Sequence, residues 1–435
     1  MTRRSEAYVL VLTISTLATT LLTRPLWFRG GLFPKVPFVP VCGRIEIELG
    51  AVLIGSLFAA TAASSLGLIK RSVSARRSTS VAQAIAVACF VVLVSGDQHR
   101  FQPWVYQYVM TIAAIMIVPG ERGERLCRLF MIALYLHSGL SKLDVSFRDE
   151  MGGVFLDRTF AAVGVDATSW PRGVRSAAIW FAPAFEIAIG LALARGRTRT
   201  IGAVGAIALH GTLLYVLGPR GLDHSAGVLA WNAAVAVEVA VLFLGAAGRN
   251  RHNLINNHDD TRDDNSFVQK AFSFVFIFLI FIAPCGERAG LFDTWPSFGL
   301  YASHAERTIV LIAVEDLVEY PESIVRHTKA VAGIPGRLVL DLTAWSRAER
   351  DAPVYPQNRA LNGVAEALAM RYVGRRPIRV EHLGRAGLFS GRRDRVRLIG
   401  LDAIREHARS FVLNARPAER AESIAKRRTR VDTKD

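Results

Sequence analysis

Apolar residues in this chain come in long unbroken runs, separated by short connections that are often basic. "YVLVLTISTLATTLL" and "VFIFLIFIAPC" show neither the alternation of a half-buried strand nor the one-sided stripe of a surface helix. A helix that is apolar all round belongs in lipid or in a large protein interior, and repetition of the pattern favours lipid. The runs predict nine spans, over 8–22, 47–69, 81–95, 104–118, 126–143, 177–194, 200–217, 227–247 and 267–284. Several fall short of the roughly 20 residues that cross a bilayer, so their ends are expected to extend into the flanks. The shortest, 104–118, is short enough to be re-entrant.

After Cys285 the pattern changes. "ERTIVLIAVEDL", "GRLVLDLTAW" and "RPIRVEHL" read as strands, while "YPESIVRHTKAV", "NRALNGVAEALAMRYV" and "DAIREHARSFVLNA" read as helices. The expected fold is an all-α polytopic membrane helix bundle of about nine spans over 1–284, then a small α+β soluble domain over 285–420. A basic disordered tail is expected over 421–435, and no internal repeat is visible.

A net charge of +16 raises nucleic acid as a partner, but the arginines sit at helix ends and no nucleic-acid motif accompanies them. Basic residues flanking apolar runs are topology signals or headgroup contacts, so the expected partner is the lipid bilayer. Arg3 and Arg4, then Lys70, Arg71, Arg76 and Arg77, then Arg122, Arg125 and Arg128, then Arg195, Arg197 and Arg199, then Arg249 and Arg251 fall on alternate connections. The opposite short loops hold only Arg100 and Arg220. In a bacterial cytoplasmic membrane this places the N-terminus inside and the C-terminal domain outside. Arg24, Arg29, Lys35, Arg148, Arg158, Arg172 and Arg175 run against the rule, but in longer segments that obey it poorly. No small-x-small site follows "LATTLLTRPLW", so the first span reads as an uncleaved anchor.

Of four cysteines, Cys89 and Cys127 fall in or near spans and read as inert thiols. Cys42 and Cys285 share the expected outer side, where an oxidising compartment would allow a bridge. There is no CxxC or other metal-ligand spacing, which argues against a metal centre.

Ionisable side chains within spans are costly and mark functional candidates. "LYLHSGLSKLD" carries His137, Ser138, Ser141, Lys142 and Asp144, with Ser138 and Lys142 on one helical face. A lysine partly withdrawn from water can serve as base or nucleophile, although snorkelling to the interface is the bland alternative. Gly139 admits a close neighbouring backbone. Glu186 shares a face with Pro183 and Gly190, His210 ends a Gly202–Ala206 stripe, and Glu238 aligns with Trp231 and Ala234. A buried Glu and His could pair across helices, as glue or as a relay reaching Lys142 or His224. "GDQHRFQPWVYQ" packs Asp97, His99 and Arg100 into one short connection, where Arg100 could bind an anion or simply pair with Asp97.

"LYLHSGLSKLDVSF" resembles the Gly-x-x-Lys-Leu segment of the HTTM (horizontally transferred transmembrane) family, relatives of vitamin K-dependent gamma-glutamyl carboxylase. "DQHRFQPWVYQ" and "FEIAIGLALARGRTRTIGAVGAIALHGTLLYVLGPRGL" resemble flanking parts of that domain, giving an HTTM-like core over about 95–247. The resemblance implies Lys142 as a base near the outer face, with His137, Asp144, His99 and Arg100 nearby and a quinone-like lipid as cofactor or substrate. Ser141 and Phe147 depart from the pattern, and the large lumenal region of a carboxylase is missing. The chain is also similar, more loosely, to DoxX- and MauE-type membrane proteins, which implies a non-enzymatic subunit of a redox or assembly complex with a membrane protein partner. A proton-coupled transporter using Glu186, His210 and Glu238 would call for inverted repeats.

Overall fold

The computed structural model describes residues 2–28, 31–70, 73–244 and 266–418. Arg29, Arg71, Arg249, Arg251, residues 245–247 of the eighth expected span, and the basic tail lie outside the described residues. The first part of the chain is helical: α1 (Arg3–Leu22), α2 (Arg24–Trp27), α3 (Pro40–Lys70), α4 (Val73–Gly96), α5 (Pro103–Ile117) and α6 (Glu121–Leu140). Two short helices, α7 (Val145–Asp149) and α8 (Met151–Ala161), precede α9 (Arg172–Ala194), α10 (Arg199–Leu217), α11 (Ala226–Val239) and α12 (Phe267–Ile277). The last two continue as π-helical turns over Ala240–Leu244 and Phe278–Ile282.

Among the described residues, seven helices are long and apolar enough to cross a membrane, and the chain is a multi-pass membrane protein. The two other expected spans are α5, at 15 residues, and α6, whose first turns carry Glu121, Arg122, Glu124, Arg125 and Arg128. Both run between the same two ends as their neighbours. Gln102, ahead of α5, bonds to Pro353 of the C-terminal domain, while Glu124 at the start of α6 meets Thr2, Arg4 and Arg128 at the opposite end. Helix ends extend into the flanks as expected, most at α4, which starts at Val73.

Many hydroxyls inside these apolar helices are tolerated because they bond back to their own backbone. Thr13, Thr20 and Thr23 in and after α1 donate to the carbonyls of Val9, Thr16 and Thr19 at 2.7 Å. Glycines set the closest packing. A Cβ on Gly139 of α6 would stand 2.7 Å from the Pro183 carbonyl of α9, and one on Gly190 of α9 would stand 2.7 Å from Leu136. The two helices therefore meet backbone to backbone, the small-residue packing that lipid favours.

The C-terminal domain is a five-stranded antiparallel sheet of order β2-β3-β1-β4-β5, built from β1 (Arg307–Ala313), β2 (Thr328–Ala330), β3 (Arg337–Leu340), β4 (Arg379–Leu383) and β5 (Arg395–Ile399). With it fold α13 (Glu322–Val325), α14 (Leu342–Arg350), α15 (Asn358–Arg371) and α16 (Gly400–Ala408). Three segments depart from expectation. "GRLVLDLTAW" is strand only to Leu340, because Asp341 accepts from the Ala344 amide at 3.0 Å and starts α14. "YPESIVRHTKAV" gives one helical turn and then β2, and "DAIREHARSFVLNA" is helical only to Ala408.

The core of this domain is completed from the N-terminal part of the chain. Phe33 and Val36, between α2 and α3, are buried with Val310, Trp345, Leu361 and Val364, and the Phe33 and Trp345 rings lie 4.6 Å apart. Arg350 stacks over Phe33 and donates to Asp97 Oδ2 at 2.8 Å. Cys42 and Cys285 are free thiols, so the disulfide considered from sequence is absent. The physical reason is placement: α3, which carries Cys42, packs on α1 and α4, whereas α12 leads to Cys285 along α5 and α6.

Asp97 and Arg350 are both buried, at 0% and 3% exposure. Arg350→Leu leaves Asp97 uncompensated and is expected to cost about 3–5 kcal/mol. Thermal unfolding in detergent should show a lowered Tm, with much of the loss recovered in Asp97→Asn/Arg350→Leu. Equal Tm values for the single and double variants would refute the pairing.

Candidate functional site

The close approach of α6 and α9 brings Lys142, just past the end of α6, against Glu186. The Lys142 Nζ donates to Glu186 Oε2 and Oε1 at 2.8 and 3.1 Å, to Ser138 Oγ at 2.7 Å and to the Ser138 carbonyl at 3.0 Å. Ammonium has three hydrogens, and all find acceptors here. Lys142 is 3% exposed, so it does not snorkel; it is a buried, paired cation.

The pair forms one wall of an apolar chamber of about 120 Å³ between α6, α9, α10 and α11. Leu134, Phe155, Leu209, Leu213 and Val235 supply most of its surface. A second polar group faces it from another wall. His210 Nε2 lies 2.8 Å from the Tyr135 hydroxyl, and His210 Nδ1 lies 3.0 Å from Asn232 Oδ1. Asn232 donates to the Val228 carbonyl at 2.9 Å, which fixes its amide as acceptor toward the histidine. The imidazole then donates from Nδ1 and accepts the Tyr135 proton at Nε2.

A larger cavity of about 820 Å³ lies between the bundle and the sheet domain and shares Trp231, Leu300 and Tyr301 with the inner chamber. Tyr301 takes a left-handed backbone (φ 59°), as does Phe298 (φ 58°). Such a conformation is strained for a bulky residue and persists only where packing enforces it. Here the Tyr301 ring is held between Phe155 and His224. Burial pushes the Tyr301 phenol above its ordinary range.

The residues singled out from sequence do not form one site. Lys142, Glu186 and His210 line the inner chamber, and His224 lines the outer cavity, where its Nδ1 accepts from the Ser225 amide at 2.9 Å. His137 stacks on Phe298 at 6.2 Å between ring centres. Asp144 caps α7 through the Phe147 amide and binds Arg288 and His304. The expected pairing of a buried Glu with a His does not occur. Glu186 has Lys142, His210 has Tyr135 and Asn232, and Glu238 accepts from Gln107, whose carbonyl in turn receives Trp231 Nε1 at 2.7 Å.

The Asp97, His99 and Arg100 connection is bonded to the protein around it. Asp97 pairs with Arg350 instead of with Arg100, and His99 Nδ1 accepts the Tyr355 amide at 3.1 Å. Arg100 lies over the Trp27 ring and donates to the carbonyls of Leu26 and Trp27 at 3.0 and 2.6 Å. Burial works against ionised Asp97, yet Arg350, His99, Arg100 and Lys35 outweigh it and hold the carboxyl at about 2. Burial holds the His99 imidazole down at about 4.

Sequence reading missed His304, which is fully buried at the seam between bundle and sheet domain. Its Nδ1 lies 2.9 Å from Asp144 Oδ2 and its Nε2 lies 2.7 Å from Glu287 Oε2. Carboxylates only accept, so both ring nitrogens donate and the imidazole is charged. Arg288 reaches Asp144 at 2.8 Å, Arg385 reaches Glu287 at 3.3 Å and Glu306 at 2.6 Å, and Arg393 bonds the His304 carbonyl. "SHAER" carries no spacing that would have marked it, because its partners lie 160 and 17 residues away in sequence. The trio converges on the imidazole itself. Among the described residues no group of three His, Cys, Asp or Glu is arranged to hold a metal ion.

A family model described as methylamine utilisation protein MauE matches residues 107–220. Over that stretch the chain is similar to MauE. The match covers well under half of the 435 residues, and takes in Tyr135, Lys142, Glu186 and His210 but neither Asn232 nor the sheet domain. It falls on the second of the two resemblances visible in the sequence, the MauE type, and not on the HTTM one. No curated protein and no solved structure matches.

The His304 clamp has a pH signature. Burial opposes its charge, but its hydrogen bonds to Asp144 and Glu287 win and raise its pKa above the ordinary 6.5. Its contribution is therefore full below pH about 6.5 and is lost as pH climbs through the raised value. Asp144 and Glu287 are both depressed, their bonds to His304 outweighing burial, so they contribute above about pH 4 and fail on the acid side. The Tm should hold between these limits and fall on the alkaline side, and His304→Gln should flatten the alkaline fall. An identical alkaline limb in the variant would remove His304 as its cause.

Proposed function

We propose that this protein is a MauE-type membrane subunit of a larger assembly, which holds a hydrophobic small molecule and does not transform it. The observation that carries this reading is the pairing inside the inner chamber. The lysine, the glutamate and the histidine on its wall are already bonded: Lys142 to Ser138 and Glu186, and His210 to Tyr135 and Asn232. A nucleophile or base awaiting substrate needs a free lone pair facing the reacting atom. Apolar walls with a few fixed polar groups instead suit a bound lipid with a polar head, a quinone-like lipid among them. The similarity to the methylamine utilisation protein MauE over residues 107–220 supports the MauE-type reading over the HTTM one.

A second reading follows the HTTM resemblance and makes Lys142 a base, with a proton first passing to Glu186. One observation favours it: the Lys142–Glu186 and Tyr135–His210–Asn232 groups face the same chamber, so two proton carriers flank one ligand position. On the loop charges, this chamber and the sheet domain lie toward the outside.

Full-length protein extracted in mild detergent should carry a hydrophobic molecule detectable by mass spectrometry. Leu213→Trp, which fills the chamber and leaves its polar groups in place, should lower the recovered amount about tenfold, equivalent to about 1.4 kcal/mol of binding. Unchanged recovery would sink the ligand claim. Lys142→Ala separates the two readings: loss of a co-purifying protein supports the subunit, whereas an intact complex with accumulated, unconverted ligand supports the base.

A further inference from the structure

The loop between β4 and β5 carries "GLFSGRR", and its tip is apolar and outward-facing: Phe389 is 87% exposed. Isolated exposed apolar residues are ordinary on any protein surface. This one is not isolated. The Val145 amide at the start of α7 donates to the Leu388 carbonyl at 3.2 Å, so the loop lies against the segment that leaves α6. Arg288 donates to the Ser141 carbonyl of that same segment, at 3.3 Å, and brings with it the turn that follows α12, where Leu291 is 82% exposed. Leu140 and Leu143, at the end of α6, are exposed as well. Three chain segments that touch one another thus present their apolar side chains to the surroundings, at the point where two helices of the bundle end.

We infer that this patch of the sheet domain is seated in the headgroup region of the bilayer, with Phe389 and Leu291 dipping toward the acyl chains and anionic headgroups held by the neighbouring arginines. Two observations favour lipid over a protein partner. First, the patch is continuous with the outward surface of α6 and α12, and α12 is among the helices suited to cross a membrane. Second, the loop tip carries an exposed cation, Arg392, whereas Arg148 of the adjoining α7 is paired with Asp149. An apolar tip with an arginine beside it matches the interface, where apolar side chains enter the acyl boundary and cations meet phosphate.

The inference also bears on two of the arginines that run against the loop-charge rule. Arg158 and Arg172 belong to the end of the bundle on which the sheet domain sits. There they serve as headgroup contacts under a docked domain, which is a different role from setting orientation.

The test is depth measurement on the whole protein in phosphatidylcholine vesicles containing phosphatidylglycerol. Cys42→Ser and Cys285→Ser remove the accessible thiols and leave the buried Cys89 and Cys127. A nitroxide is then attached through Phe389→Cys, Leu291→Cys or, as reference, Val318→Cys. Val318 is 86% exposed and lies past the end of β1 remote from the bundle contacts of Arg307. The expected result is that labels at 389 and 291 collide more often with oxygen than with a water-soluble nickel chelate, and that 318 shows the reverse. Labels at 389 and 291 that behave like 318 would overturn the inference. So would labels shielded from both reagents, the result a protein partner on this face would produce.

Discussion

Charges that no longer touch water hold the sheet domain to the helix bundle. Asp97, Asp144 and Glu287 are each buried at the seam, and an unpaired buried carboxylate is among the most costly features a fold can carry. Arg350 answers Asp97 across the seam, and His304 answers Asp144 and Glu287 together. Asp97 and Arg350 stand 253 residues apart, and Asp144 and His304 160. The bundle end therefore depends on the docked domain to satisfy its charges, and the docked domain takes Phe33 and Val36 into its own core. Each part thus supplies partners for the other's buried groups, and the polar loop over 97–100 has Asp97 and His99 bonded to the sheet domain.

A second constraint acts inside the bundle. Without a hydrophobic drive between helices in lipid, close packing decides which helices meet, and Gly139 and Gly190 let α6 and α9 approach backbone to backbone. That approach puts Glu186 within 2.8 Å of Lys142 and converts two expensive isolated charges into one internal pair. The same geometry leaves the chamber between α6, α9, α10 and α11, so packing and site share a cause. The stretch similar to MauE spans this packing, and the sheet domain lies beyond it.

Tyr301 links the two regions. It is held in a left-handed backbone between Phe155 of the bundle and His224, and it borders both the inner chamber and the outer cavity. Strain at such a residue persists because Phe155 and His224 hold the ring between them. Outer cavity and inner chamber thus share Tyr301, together with Trp231 and Leu300.

The apolar runs by themselves determined the helices, their order and their alternation between two ends, because transfer of a side chain into lipid is a local property summed along one segment. They also marked Lys142, Glu186, His210 and Glu238 as buried ionisable groups, since a charge inside an apolar run is visible without knowing its neighbours. Which group answers which was decided only by tertiary structure. Glu186 took Lys142, 44 residues away, and not a histidine; Asp97 took Arg350, 253 residues away, and not Arg100. His304 drew no notice because nothing in its own segment sets it apart. Burial is written in composition, whereas the partner of a buried charge depends on the packing of distant segments, and no local pattern in the chain encodes that.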